Sequence, residues 1–151
     1  MRIEDAIKQK SFKSDQHRAY INLLYTANYL SGKQAHFFKQ YDLTPQQFNV
    51  LRILKGQLPG AASVNLIIER MLDKSSNASR LVDKLKLKGL VSRVQCKSDR
   101  RSVNVKITPK GLELLQEIDD SQGLEVEQMN NLTNEEVNVL NELLNKIRKE
   151  C

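Results

Sequence analysis

The chain has 151 residues, 40% of them hydrophobic and 28% charged, with a net charge of +6; this is enough to bury one real core, and nothing marks a second independent domain. It has no run of about 18 apolar residues, which excludes a membrane helix, and its polar, acid-containing start does not read as a secretory signal, so the expected location is cytoplasmic. Two cysteines, Cys96 and Cys151, and two histidines, His17 and His36, have neither disulfide nor metal-ligand spacing and form no catalytic constellation, so the expectation is free thiols, no metal, no cofactor and no enzyme.

The charge is local. Between residues 74 and 110, eleven Lys or Arg stand against Asp83 and Asp99 only, a net of +9, while residues 1–73 carry +4 and residues 111–151 carry −7. A confined basic stripe is the electrostatic footprint of a nucleic-acid reader.

In chain order, residues 1–14 are polar and lysine-rich and are expected to be a frayed end. Residues 15–41 place Tyr20, Ile21, Leu23, Leu24, Tyr25, Tyr29 and Leu30, then Phe37, Phe38 and Tyr41, at helical spacing. So wide an apolar face exceeds what one small domain can cover, and part of it is expected to meet a partner chain. In DLTPQQFNVLRIL, Thr44, Pro45 and Gln47 give a capping start for a short helix that ends at Gly56. GQLPGAA is a break. Ser63 opens the next helix, which ends near Asp73, and Ser75 and Ser76 are cap candidates for the basic helix that follows.

Two short helices around a polar turn, the second basic, form a helix-turn-helix pattern. On the second, Ala78, Leu81, Val82 and Leu85 share one face and Ser76, Ser79, Arg80, Asp83 and Lys84 the other. Leu87 falls on the polar side and is expected to cover the base of a hairpin. Gly89 ends the helix. Residues 90–96 and 102–108 then read as two paired strands, the second alternating Val103, Val105 and Ile107 with Asn104 and Lys106. The connecting turn holds Asp99, Arg100 and Arg101, and an arginine at its tip is placed to reach the minor groove or its phosphates. Thr108 and Pro109 open a helix with Leu112, Leu115 and Ile118 that continues to Val126 and Met129. Thr133 and Glu136 form a capping box for the last helix, with Val137, Leu140, Leu143, Leu144 and Ile147 along one side. The last two helices are acidic, which keeps them off DNA, and with the first long helix they form a dimerisation platform.

DLTPQQFNVLRIL, SSNASRLVDKLKLKGLVSR and SDRRSVNVKITPKGLELL, in this order and spacing, resemble the MarR family of bacterial winged-helix transcriptional regulators. The similarity runs over residues 42–115. It implies a mainly α fold with a small antiparallel β wing: one winged helix-turn-helix domain over residues 1–151, with its core at about 42–108 and dimerisation helices at about 15–41 and 109–149. It further implies a homodimer that binds double-stranded DNA at a pseudo-palindromic operator, acting as a repressor. Ser75, Ser76, Asn77, Ser79 and Arg80 would then contact bases and phosphates in the major groove, with Lys84 on the same face. Arg100 would lie in or beside the minor groove, with Asp99 supporting the wing and Arg101 both holding it and within reach of DNA.

The family also implies a small aromatic or anionic effector in a crevice, for which Phe37, Phe38, Tyr41 and Phe48 are the candidates, although such a cluster also reads as plain core. Its thiol-sensing branch uses a cysteine in the first helical region, and none precedes Cys96. The sequence departs from the family at GQLPGAASVNLIIERMLDKSS, where a threonine-started segment is usual. The rival reading is a winged-helix protein-interaction module, which has no need of the basic stripe.

Overall fold

In the computed structural model the described residues are 1–96, 98–99, 102–121 and 123–148, with only the backbone described at residues 125 and 126. They group into two compact units, Met1–Pro45 and Gln46–Cys151. Arg100, Arg101 and Cys151, as well as the side chain of Val126, lie outside the described residues.

The first unit holds α1 (Ile3–Ala6) and α2 (Asp15–Lys39). Its start is not frayed: Ile3 is buried and Glu4 pairs with Arg18 of α2 at 2.7 Å. One apolar anchor and one ion pair tie down a segment whose composition reads as polar. Helix α2 begins at Ser14, whose hydroxyl accepts the His17 N–H, and ends with Lys39 in the last turn, where a cation suits the carbonyl end. It runs for 25 residues and buries only Phe38. A cavity of about 320 Å³ lies between α1 and α2, lined by Ile3, Asn22, Tyr25 and Tyr29 among others.

The second unit is a helical core edged by a small sheet. Helix α3 (Pro45–Gly56) buries Val50, Leu51 and Leu54 at three- and four-residue spacing. A two-residue strand β1 (Ala62–Ser63) leads into α4 (Val64–Arg70), which is capped by the Ser63 hydroxyl accepting the Leu66 N–H. Helix α5 (Ala78–Leu87) follows, then β2 (Val91–Gln95) and β3 (Val103–Ile107). The sheet has three antiparallel strands in the order β1-β3-β2, where the sequence predicts two. Strand β1 pairs Ala62 with Val105 and is too short to show a period of two. Helix α4 also stops earlier than the expected Asp73, with Met71 already extended.

The C-terminal part holds α6 (Pro109–Asp120), α7 (Leu124–Met129) and α8 (Asn134–Ile147). The expected single helix from Thr108 through Met129 is thus broken, because Ser121 is extended. The capping box at Thr133 and Glu136 is present in both directions. The alternation on β3 holds for Val105 and Ile107, which are buried, whereas Val103 at the far end of the strand is exposed. Gly111 at the start of α6 sits so close to the Leu90 carbonyl and the Ile107 side chain that a Cβ has no room.

Candidate nucleic-acid interface

Helix α5 is built to present one polar face. Ala78, Val82 and Leu85 are at most 2% exposed, so the opposite side, with Ser79, Arg80, Asp83 and Lys84, faces outward and all four are exposed. Its N-cap is Asn77, whose Oδ1 accepts the Arg80 N–H at 3.1 Å, not the expected Ser75 or Ser76. Ser75 instead donates its N–H (3.0 Å) and its hydroxyl (2.6 Å) to Asp73 Oδ1. This is an Asx-type turn before the helix. The Ser75 hydroxyl, its N–H and then the Gln46 amide hold the Asp73 carboxyl below its ordinary value. Ser76 is half-buried. Where three consecutive residues can all cap, composition cannot choose among them.

The other end of α5 closes in a Schellman arrangement. Leu90 N–H donates to the Leu85 carbonyl at 3.0 Å and Gly89 N–H to the Lys86 carbonyl at 2.9 Å, with Gly89 at φ +73°. The Thr108 hydroxyl donates to the Gly89 carbonyl at 2.7 Å and Lys110 Nζ to the Lys88 carbonyl at 2.9 Å. The end of α5 is thereby fastened to the start of α6. Leu87 is 89% exposed and does not cover the hairpin, since it lies on the outward side of α5 with the polar residues.

Strand β2 lies against α5, and Arg93 donates to Asp83 across the two elements. Of the wing turn, Asp99 is described: its carbonyl accepts the Ser102 N–H at 3.1 Å. Cys96, at the end of β2, is half-buried, with its sulfur 3.0 Å from the Ser98 hydroxyl. That hydroxyl, followed by the Ser98 and Asp99 N–H groups, holds the thiol below its usual value.

The aromatic candidates fall in both units. In the first, Phe37 meets Phe38 edge-on at 5.2 Å and Tyr41 at 5.7 Å between centroids; Phe38 is buried and the other two half-buried. In the second, Phe48 carries the Arg52 guanidinium 5.0 Å from its ring centre. Arg52 in turn donates from both terminal nitrogens to Asp119 of α6, with Lys55 at 3.6 Å. Among the described residues there is no group of His, Cys, Asp or Glu able to hold a metal and no helix long and apolar enough to cross a membrane.

A MarR family model matches residues 41–102, the span from the end of the first unit through α5 and β2 to the start of β3. The HTH-type transcriptional regulator MhqR of Bacillus subtilis (strain 168) is 33% identical over 111 residues, covering 72% of this chain and 74% of that protein. The chain belongs to the MarR family. MgrA of Staphylococcus aureus, another HTH-type transcriptional regulator, is 30% identical over 142 residues, 89% of this chain and 92% of its own. The crystal structure of a MarR-like transcription regulator from Bacillus cereus ATCC 10987 superposes with a TM-score of 0.76 at 26% identity, over 89% of this chain and 96% of that one. As a MarR-family protein the chain is a winged-helix, DNA-binding transcriptional regulator and not an enzyme.

Within this MarR-family reading head, Asn77, Ser79, Arg80 and Lys84 fall on or beside one exposed face. Sequence reasoning missed Arg93, which bears on that face from the strand. Its partner lies ten residues earlier, and the pairing becomes visible only once β2 is laid along α5. It also missed the Arg52–Asp119 clamp, between residues 67 positions apart.

Proposed function

We propose that the protein is a homodimeric repressor that places α5 of each subunit in successive major grooves of a pseudo-palindromic operator. The observation that carries this reading is the outward face of α5, where Ser79, Arg80 and Lys84 stand exposed above a buried apolar face. Phosphate neutralisation by the basic stripe supplies affinity, and short polar side chains with one guanidinium supply sequence choice. By the family resemblance Arg100 extends the contact into or beside the minor groove, and Arg101 holds the wing within reach of DNA. Two-fold symmetry sets the half-sites roughly 10 base pairs apart, one helical turn.

Dimerisation is supported by the exposed apolar residues on α2 and α8, among them Tyr20, Leu24 and Tyr29 on the first and Val139, Leu143 and Ile147 on the second. An effector of small aromatic or anionic type would act by shifting the separation of the two reading heads. In the first unit the half-buried Phe37 and Tyr41 offer ring surface for it, whereas Phe38 belongs to the core.

The test is selection of bound duplexes from a random-sequence pool at two salt concentrations. Enrichment of a two-fold site with steep salt dependence is the expected result. Weak binding to all sequences alike would overturn specific reading and favour an interaction module.

A further inference from the structure

On the outward face of α5 one residue has the wrong sign for DNA. Asp83 follows Ser79 and Arg80 by four and three residues on the same face, so it stands about 4.5 to 6 Å further along the helix. That is inside the Debye length of about 8 Å at physiological salt. A helix lying in the major groove would bring this carboxylate, whose side chain is 58% exposed, toward the phosphates that Arg80 and Lys84 approach. Arg93 answers it from β2, with its guanidinium on the Asp83 carboxylate. Arg93 shares its side of the strand with the buried Val91 and is paired across the sheet with Val105, itself buried. The strand that fixes Arg93 is therefore anchored in the core.

We propose that Arg93 is a positioning residue for DNA binding that acts through Asp83: it neutralises the one carboxylate on the reading face and turns it toward the wing, away from the phosphates. This rests on the reading of α5 as the recognition helix. Arg93 does not itself need to touch DNA. Losing it exposes an uncompensated negative charge at the centre of the contact, and losing Asp83 as well removes the reason for the pair.

The experiment compares wild type with Arg93→Ala, Asp83→Asn, the double variant and Arg80→Ala, each as the full chain. The probe is a duplex selected by wild-type protein from a random pool, titrated across a salt series. The expected result is a loss of tenfold or more in affinity for Arg93→Ala and recovery to within about threefold of wild type in the double variant. The slope of log affinity against log salt should be the same in the double variant as in wild type. If the double variant binds as weakly as Arg93→Ala, with a slope shallower by about one, Arg93 contacts a phosphate directly and the proposal is overturned. If Arg93→Ala binds like wild type, the proposal is overturned as well. Denaturant unfolding of the same variants separates this from a merely structural pair: affinity lost in Arg93→Ala and recovered in the double variant with the unfolding midpoint unchanged is the expected result, and an Arg93→Ala midpoint lowered in step with its affinity would overturn the proposal. Loss in Arg80→Ala without loss in Arg93→Ala would sink this proposal alone. Wild-type affinity in Arg80→Ala would instead sink the recognition-helix reading beneath it.

Discussion

Helix α5 buries its apolar face inside its own chain, with Ala78, Val82 and Leu85 all at or below 2% exposure. Helix α2, at 25 residues against 10, buries Phe38 alone and leaves Tyr20, Leu23, Leu24, Tyr25 and Tyr29 between 37% and 59% exposed. Helix α8 buries nothing, although it has a clear apolar side. Periodicity marks a face as apolar without saying which molecule covers it. Helix α5 is satisfied within one copy of the chain, whereas α2 and α8 keep apolar surface uncovered, which in the dimer proposed above a second copy would cover. In that proposed dimer the division would let the winged helix stay folded while the platform sets the distance between two copies of it.

The sharpest way to break this comparison is Leu143→Glu on α8. Burying a leucine is worth about 1.5–3 kcal/mol, a two-fold interface counts it twice, and an unpaired carboxylate in that interface adds a further cost. The expected outcome is a monomer by sedimentation and a loss of two or more orders of magnitude in affinity for a two-fold site, with helix content unchanged. A Leu143→Glu protein that still sediments as a dimer of wild-type affinity would show that α8 is not the platform. Next in size is Leu85→Ala inside the reading head. It should lower the unfolding free energy by about 2–5 kcal/mol, measured by denaturant titration and independent of protein concentration. The milder Leu143→Ala should instead act through a midpoint that depends on concentration.

At the contact itself, Arg80→Ala should cost about 1–3 kcal/mol of binding and relax preference at one or two base positions of each half-site. Arg100→Ala should weaken all sequences alike and lower the salt slope by about one. If Arg80→Ala kept both its affinity and its preference in a competition assay, α5 would not be the reading element.

The sequence was most legible where local chemistry and tertiary need agree. Ser63, Thr108 and Thr133 each cap the helix that was expected there, because one oxygen in the right place satisfies orphan N–H groups whatever packs nearby. Gly89 is similar, since few other residues tolerate its φ. Legibility failed where the deciding partner is remote. Strand β1 exists only because β3 lies beside it, Ile3 is ordered by its surroundings and not by its neighbours in sequence, and Asp83 is answered from another element. Leu87 failed differently: an apolar residue on a polar face invites a buried role, and the fold leaves it exposed. The break before α7, where Ser121 is extended, lies between two apolar-spaced stretches that read as one helix.

The smallest expected effect lies at Asp119, on the clamp between α3 and α6. The hydrogen bonds from Arg52, reinforced by the charges of Arg52 and Lys55, hold its carboxyl below the ordinary value. A carboxyl whose folded value is depressed contributes stability that is present above its unfolded value, about 4, and lost as pH falls through the lower folded one. With about a third of the side chain exposed, water and salt screen the pair, so the contribution should stay below about 1 kcal/mol. Glu4 and Asp73 are shifted in the same direction, so a pH titration of wild type alone would mix three groups. The difference between wild type and Asp119→Asn isolates one. It should be constant above about pH 5 and shrink steadily below pH 4, whereas in an Arg52→Ala background it should be near zero throughout. A difference that persisted at low pH would mean that Asp119 acts through packing of its side chain and not through its charge. The α3–α6 contact would then belong with the buried, pH-insensitive core that holds α5, and not with the surface electrostatics.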